Sequence, residues 1–357
     1  MLQLSRNRTV FQRSWLLFSA LLILPATLWS QTPPSAPPPA PRRAGPPPAA
    51  SQTAPAQKPG GDYKISVDVG LVVLHATVLD KKGRQVDDLG RNDFRVYEDG
   101  VQQRLSVFSH SDVPVTMGII IDDSGSMREK RPAVNAASLT FVKTSNPQDQ
   151  VFVVNFNDVY YLDTPGDFAT NIEDLKTALD KIDSRGGTAL YDAVDAALNH
   201  MKLGNRDKKV LLAITDGEDN ASRYTLEEVE RTAQRSNAII YCIGLLGDEQ
   251  PGGLFKIHGS GPKHASKVLK QLSEITGGQA FLPKTLGEVE SICVQIAHDI
   301  RNQYTLAYYP SNVNKDGTFR SVRVEAYTPG SHGKLQVRTK SGYYAPRGTQ
   351  TRASSGQ

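Results

Sequence analysis

Ile119-Ile120-Ile121-Asp122-Asp123-Ser124-Gly125-Ser126-Met127 joins an apolar run to a carboxylate followed by alternating hydroxyls. With Met117 and Gly118 ahead of it, the run has the composition of a strand covered on both faces, as in a parallel sheet flanked by helices. Folds of that kind keep their sites in the loop at the carboxyl end of such a strand. Asp122, Ser124 and Ser126 fall at every second position, so a turning backbone aims three oxygens at one point, and Gly125 lets the chain fold tightly around it. Hard oxygen donors without a soft ligand favour Mg²⁺, with Mn²⁺ or Ca²⁺ as alternatives. The same residue types are also the ordinary vocabulary of turns and helix N-caps.

Two distant segments weigh against a turn alone. Gly186-Gly187-Thr188-Ala189-Leu190-Tyr191-Asp192 puts a threonine hydroxyl at the mouth of another helix. Val210-Leu211-Leu212-Ala213-Ile214-Thr215-Asp216-Gly217 repeats the layout of an apolar strand that ends in an aspartate. Together the three pieces resemble the von Willebrand factor type A domain family. Its metal-ion-dependent adhesion site combines Asp-x-Ser-x-Ser with a later Thr and a later Asp, matched here by Asp122, Ser124, Ser126, Thr188 and Asp216. By motif spacing the resemblance spans residues 113–303. It implies that Ser124, Ser126 and often Thr188 touch the metal directly, while Asp122 and Asp216 act partly through water.

Charge arithmetic gives such a site a purpose. Two carboxylates neutralise one divalent cation and three hydroxyls add no further negative charge, so the metal stays electrophilic. Mg²⁺ keeps waters where protein ligands are missing, and an exposed position can accept a Glu or Asp carboxylate from a partner protein. The expectation is an exported, non-enzymatic, Mg²⁺-dependent protein-binding module. A phosphatase-like Mg²⁺-dependent hydrolase would need a second carboxylate two positions beyond Asp122, where Ser124 stands. A serine hydrolase would need a Gly-x-Ser-x-Gly elbow, which Ser124 and Ser126 lack. The third alternative is a structural envelope protein whose metal motif is a relic.

The chain has 357 residues, 39% of them hydrophobic, and a net charge of +4, enough for a sizeable core with non-globular attachments. No basic helix or aromatic-interleaved patch accompanies the mild positive balance, which argues against nucleic acid. Residues 1–30 read as an export signal, with Arg6, Arg8 and Arg13 ahead of the apolar run Trp15 to Leu24. That run is short for a membrane span, and an uncleaved N-terminal anchor is the alternative to cleavage. No cysteine follows it to accept a lipid, so a periplasmic or extracellular location is expected. Residues 31–61, rich in Pro, Ala and Gln, read as an extended linker, and 347–357 as a disordered tail.

Residues 62–112 and 304–346 carry alternating strand patterns, each flank too small to be stable alone. The two are expected to pair into one small β-sandwich around the central 113–303 domain. The phrase Asp93-Phe94-Arg95-Val96-Tyr97-Glu98-Asp99-Gly100 resembles exported bacterial von Willebrand factor type A-related proteins that insert the domain between such strands. Within the centre, apolar strands at 150–156 and 238–244 alternate with helical periodicity at 171–182, 190–203, 225–236, 267–276 and 286–303. Thr225 to Glu228 and Thr285 to Glu288 have the spacing of capping boxes. The fold class is therefore α/β, a doubly wound, mostly parallel sheet.

Cys242 and Cys293 read as buried small hydrophobes, with a disulfide as the second reading because export permits one. His258 and His264 lie in a Gly- and Lys-rich stretch without zinc-ligand spacing and read as loop residues. The long connection 246–265, together with Asp158, Tyr160, Tyr161 and Asp219, is a weaker candidate for bordering the metal face and choosing a partner.

Overall fold

The computed structural model describes residues 70–246, 262–330 and 333–347. The export signal, the linker, the strand expected at 65–69, most of the connection over 246–265 with His258, and nearly all of the 347–357 tail lie outside the described residues. Chain order runs β1 (Val72–Leu79), β2 (Phe94–Glu98), β3 (Val101–Gln103), β4 (Leu105–Ser109), β5 (Val115–Asp122), α1 (Arg131–Thr144), β6 (Gln150–Phe156), β7 (Tyr160–Leu162), α2 (Ile172–Leu179) and α3 (Leu190–His200). It continues through β8 (Lys208–Thr215), α4 (Leu226–Arg235), β9 (Ala238–Gly244), α5 (Pro262–Thr276), β10 (Ala280–Phe281), α6 (Val289–Arg301), β11 (Tyr304–Tyr308), β12 (Phe319–Tyr327), β13 (Lys334–Arg338) and β14 (Gly342–Tyr344).

The central sheet has the order β10-β9-β8-β5-β6-β7, parallel except for the edge strand β7. Every residue of β5 is buried, because helices cover both faces. Met117, Ile119 and Ile121 point into a core shared with α1, α2 and α6, while Ile120 joins Phe152, Leu190 and Leu269 on the face covered by α3, α4 and α5. Gly118 has a packing role: a Cβ there would lie 2.6 Å from the Phe152 ring, so the aromatic side chain rests on bare backbone. From β5 the chain moves to β6 on one side, and from β8 to β9 on the other. The winding therefore reverses between β5 and β8, the position where doubly wound sheets open a crevice at their carboxyl edge.

Thr225 forms the expected reciprocal capping box with Glu228. At Thr285 the box does not form: a short 3₁₀ turn, Leu286–Glu288, precedes α6, and the Glu288 carboxylate accepts from the Lys284 N–H and the Thr285 hydroxyl. His264 is an exposed residue in the first turn of α5, which starts earlier than the periodicity indicates, so it is a helix residue and not a loop residue.

α1 is the helix the periodicity did not mark. It buries Arg131, Asn135 and Ser138 beside Val134, Ala137 and Phe141, so its inward face is not an apolar stripe. Arg131 is wholly buried, with Nε 3.7 Å from Asp123 Oδ1, and its Nη2 donates to Asn155 Oδ1 and to the Leu179 carbonyl at 2.9 Å each. Burial lowers its pKa, and the Asp123 carboxylate opposes that effect.

The two flanks do pair. β1 lies antiparallel to β11 (Leu74 opposite Leu306), β4 pairs with β11, and β2 pairs with β12 (Val96 opposite Val324). The layers are not separate sheets: β13 bonds to both β12 and β1, so one continuous sheet folds over itself. Leu74, Val78, Phe94, Val96, Tyr304 and Leu306 fill the space between, with the Phe94 and Tyr304 rings 5.0 Å apart. Buried Glu98 accepts from the Tyr308 and Tyr343 hydroxyls at 2.9 and 2.8 Å and pairs with buried Arg320 at 3.3 Å. The β module is joined to the α/β domain through Asp299 of α6, which accepts from Tyr241 of β9 at 2.8 Å and Arg338 of β13 at 2.6 Å.

Cys242 and Cys293 are both free and buried. Cys242 packs on the α3–α5 face of the sheet and Cys293 on the α6 face, so the sheet stands between the two sulfurs and the disulfide reading does not hold. Burial pushes both thiols up to about 12. The folded protein should therefore leave both unreactive toward Ellman's reagent at pH 8, with both titrating once guanidinium unfolds the chain; rapid reaction of either thiol in the native state would contradict the packing. Arg131→Met should lower stability by about 3–5 kcal/mol in urea denaturation, since it strands Asp123 inside the protein. A change within about 0.5 kcal/mol would show that the pair carries no weight.

Candidate metal centre

β5 and β8 are parallel neighbours in register, Ile121 beside Ile214, so Asp122 and Thr215 leave the sheet side by side. Asp122 is wholly buried. Its Oδ1 accepts from the Ser124 N–H at 2.8 Å and its Oδ2 from the Thr215 hydroxyl at 2.6 Å. Burial raises its pKa, and these hydrogen bonds oppose the rise by favouring the carboxylate. The loop beyond turns through a 3₁₀ segment, Gly125–Met127, that plants Met127 in the core and leaves Ser126 at the surface.

The remaining expected donors meet there. Ser126 Oγ donates to Asp216 Oδ1 at 2.8 Å, and the Ser124 and Ser126 hydroxyls lie 3.1 Å apart. Thr188 arrives from the loop before α3, and a Cβ placed on Gly217 would come within 3.8 Å of its Oγ1. Its N–H donates to Asn220 Oδ1 at 2.9 Å. The structure thus gathers Asp122, Ser124, Ser126, Thr188 and Asp216 at one end of the sheet, from three loops.

What holds the Thr188 loop in place was not read from the sequence. Asp123 Oδ2 accepts from the Asp183 N–H at 2.6 Å, its Oδ1 from the Ser184 hydroxyl at 3.1 Å, and its carbonyl from the Arg185 N–H at 3.1 Å. Asp158 acts from the other side, accepting from the Gly187 N–H at 2.7 Å. Its carboxylate fills the place where a side chain on Gly186 would go, 2.0 Å from an ideal Cβ, and Gly186 holds φ at +72°. Asp158 thus braces the loop that carries Thr188. Asp219 accepts from the Tyr191 N–H and the Ser222 hydroxyl, which makes it a support for the start of α3. Tyr160 and Tyr161 stand half exposed on the edge strand β7, and Tyr160 is paired with Phe156, itself in register with Asp122.

Lys130 is a further residue that sequence reading passed over. Its ammonium lies 2.5 Å from Asp216 Oδ2, on the oxygen that Ser126 does not use. Its signal in the sequence is only a charge four positions after Ser126, which any solvated helix start could carry.

The donor set fits a divalent cation of the hard class: carboxylate and hydroxyl oxygens converge, with no imidazole or thiolate among them. Ser126 is exposed, so the cluster has an open side. Among the described residues no group of three or more His, Cys, Asp or Glu side chains is placed to hold a metal. The two carboxylates and three hydroxyls here belong to a different class of site.

The von Willebrand factor type A domain family matches residues 117–292. Among solved structures, a von Willebrand factor type A protein from Catenulispora acidiphila is 13% identical, with 79% of this chain and 74% of that one covered at a TM-score of 0.44. The vWF domain of the type V pili tip protein Mfa5 from Porphyromonas gingivalis is 14% identical over 53% of this chain and 95% of that one, with a TM-score of 0.42. Proximal thread matrix protein 1 from the mussel byssus, with a zinc-occupied MIDAS motif, is 18% identical over 57% and 50% of the two chains, with a TM-score of 0.43. No curated protein matches the chain. Residues 117–292 thus match the von Willebrand factor type A domain family and form a doubly wound sheet, set between two β segments that pair with each other.

Proposed function

We propose that this protein is a divalent-cation-dependent protein-binding module, exported and non-enzymatic, which captures an acidic residue of a partner through Mg²⁺ held by Asp122, Ser124, Ser126, Thr188 and Asp216. The observation that carries the reading is the Ser126 to Asp216 hydrogen bond of 2.8 Å, which brings together donors 90 positions apart. A bound Mg²⁺ would supply an electrophile with room for one more oxygen ligand. The chain's own part is to hold the exposed Ser126 hydroxyl at the opening, with the buried Ser124 hydroxyl 3.1 Å behind it, and to keep the negative charge of the site low, so that a partner carboxylate is attracted and not repelled. Mn²⁺ or Ca²⁺ would satisfy the same donors.

The buried position of Asp122 speaks against the phosphatase-like alternative. A nucleophilic carboxylate has to reach its substrate, and both oxygens of Asp122 are occupied by Ser124 and Thr215. Export rests on the sequence, with the basic residues Arg6, Arg8 and Arg13 before the apolar run, and a periplasmic or extracellular location follows from it. No helix among the described residues is long and apolar enough to cross a membrane.

Ser126→Ala is the mildest test, because it removes an exposed hydroxyl. Calorimetric titration of the metal-stripped full chain with Mg²⁺ and Mn²⁺ should show binding that weakens more than about tenfold in Ser126→Ala and in Asp216→Ala, with circular dichroism unchanged. Equal affinities in all three proteins would place the metal elsewhere and sink the assignment.

A further inference from the structure

Lys130 stands at the mouth of the site for a reason that helix formation does not supply. It is the residue before α1, where a positive charge opposes the helix dipole, and its side chain makes no cap hydrogen bond. Its ammonium instead reaches across to Asp216, 86 positions away. The Asp216 side chain is only 2% exposed against 30% for Lys130, so the carboxylate is closed in by Ser126 on one oxygen and by the ammonium on the other. A cation approaching from solvent meets the lysine before it meets Asp216.

We propose that Lys130 is the resident counter-ion of the metal site: it satisfies Asp216 when no cation is bound, and it has to release that carboxylate when one binds. The inference rests on the metal-site reading above and adds to it what sets the affinity. A divalent ion and an ammonium cannot share one carboxylate oxygen closely without strong repulsion in a part-buried setting. With Asp122, Asp216 and Lys130 counted together, a bound divalent cation leaves the cluster with one net positive charge. Without Lys130 the cluster would be neutral. The metal alone is therefore held weakly, and a carboxylate from the partner supplies the missing negative charge. The lysine couples cation binding to partner binding. Its exposure lets the flexible stem swing into solvent without disturbing the core.

The test is titration of Mn²⁺ into the metal-stripped full chain and into Lys130→Met, Lys130→Gln and Lys130→Arg, with thermal melting of each protein with and without the metal. Both neutral variants should bind Mn²⁺ about tenfold more tightly than the wild type. They should melt lower without metal, because Asp216 loses its partner, and gain more in melting temperature when Mn²⁺ is added. Lys130→Arg should stay close to the wild type. Equal or weaker Mn²⁺ binding in both neutral variants, with the fold retained, would overturn the counter-ion role and leave Lys130 as an anchor for α1. Absence of Mn²⁺ binding in every protein would overturn the metal-site reading itself, and this inference with it.

Discussion

A carboxylate that ends a strand buried along its whole length has to be satisfied from inside the protein, and most of the metal face follows from how Asp122 is satisfied. Water does not reach it, so its hydrogen bonds come from the Ser124 backbone and the Thr215 hydroxyl. The first of these curls the loop after β5 back on itself, which brings the buried Ser124 hydroxyl within 3.1 Å of the exposed Ser126 hydroxyl. The second ties the end of β5 to the end of β8, which fixes where Asp216 emerges. One buried charge thereby orders two of the three loops that make the site. It does so at the point where the winding of the sheet reverses and no crossover helix covers the edge.

The third loop is held by the adjacent carboxylate. Asp123 faces away from the metal donors and binds the backbone and hydroxyl of residues 183–184, with Arg131 behind it as the buried counter-charge. Two neighbouring aspartates therefore do different work because the strand alternation sends them to different surroundings. The same logic extends outward through Asp158, whose carboxylate occupies the space beside Gly186 and Gly187 and so sets the approach to Thr188. Of the five candidate donors only Ser126 is exposed; Asp122, Ser124 and Thr188 are buried, and Asp216 is paired with Ser126 and Lys130.

Much of this was legible in the sequence, for identifiable reasons. The strands could be read because burial on both faces leaves uninterrupted apolar runs; the five candidate donors came as a set from the family resemblance, since Thr188 stands before a helix, far in sequence from Asp122, and only the fold brings it beside Asp216. Pairing of the flanks followed from size alone, since neither half could bury enough apolar surface by itself. α1 was not legible because its inner face carries Arg131, Asn135 and Ser138, and the hydrogen bonds of Arg131 and Asn135 to Asn155 and Leu179 reach 24 to 48 positions away. Lys130 was illegible for the same reason: a lysine beside a helix start reads as solvated until the fold brings Asp216 to it. The single folded sheet of the β module was hidden too, because β13 is short and two-sided in pattern and only its position shows that it bridges β12 and β1. Periodicity reports which way a side chain faces, and buried ion pairs between distant segments leave no periodic trace.

The proposed function turns on whether a divalent cation binds among the oxygens of Asp122, Ser124, Ser126, Thr188 and Asp216. Anomalous diffraction from crystals of the protein soaked in Mn²⁺ tests it most directly. One strong anomalous peak is expected at the carboxyl edge of β5 and β8, bordered by the Ser124 and Ser126 hydroxyls, with the Lys130 ammonium moved away from Asp216. An empty edge at saturating Mn²⁺, with Lys130 still on Asp216 and manganese bound elsewhere or nowhere, would contradict it.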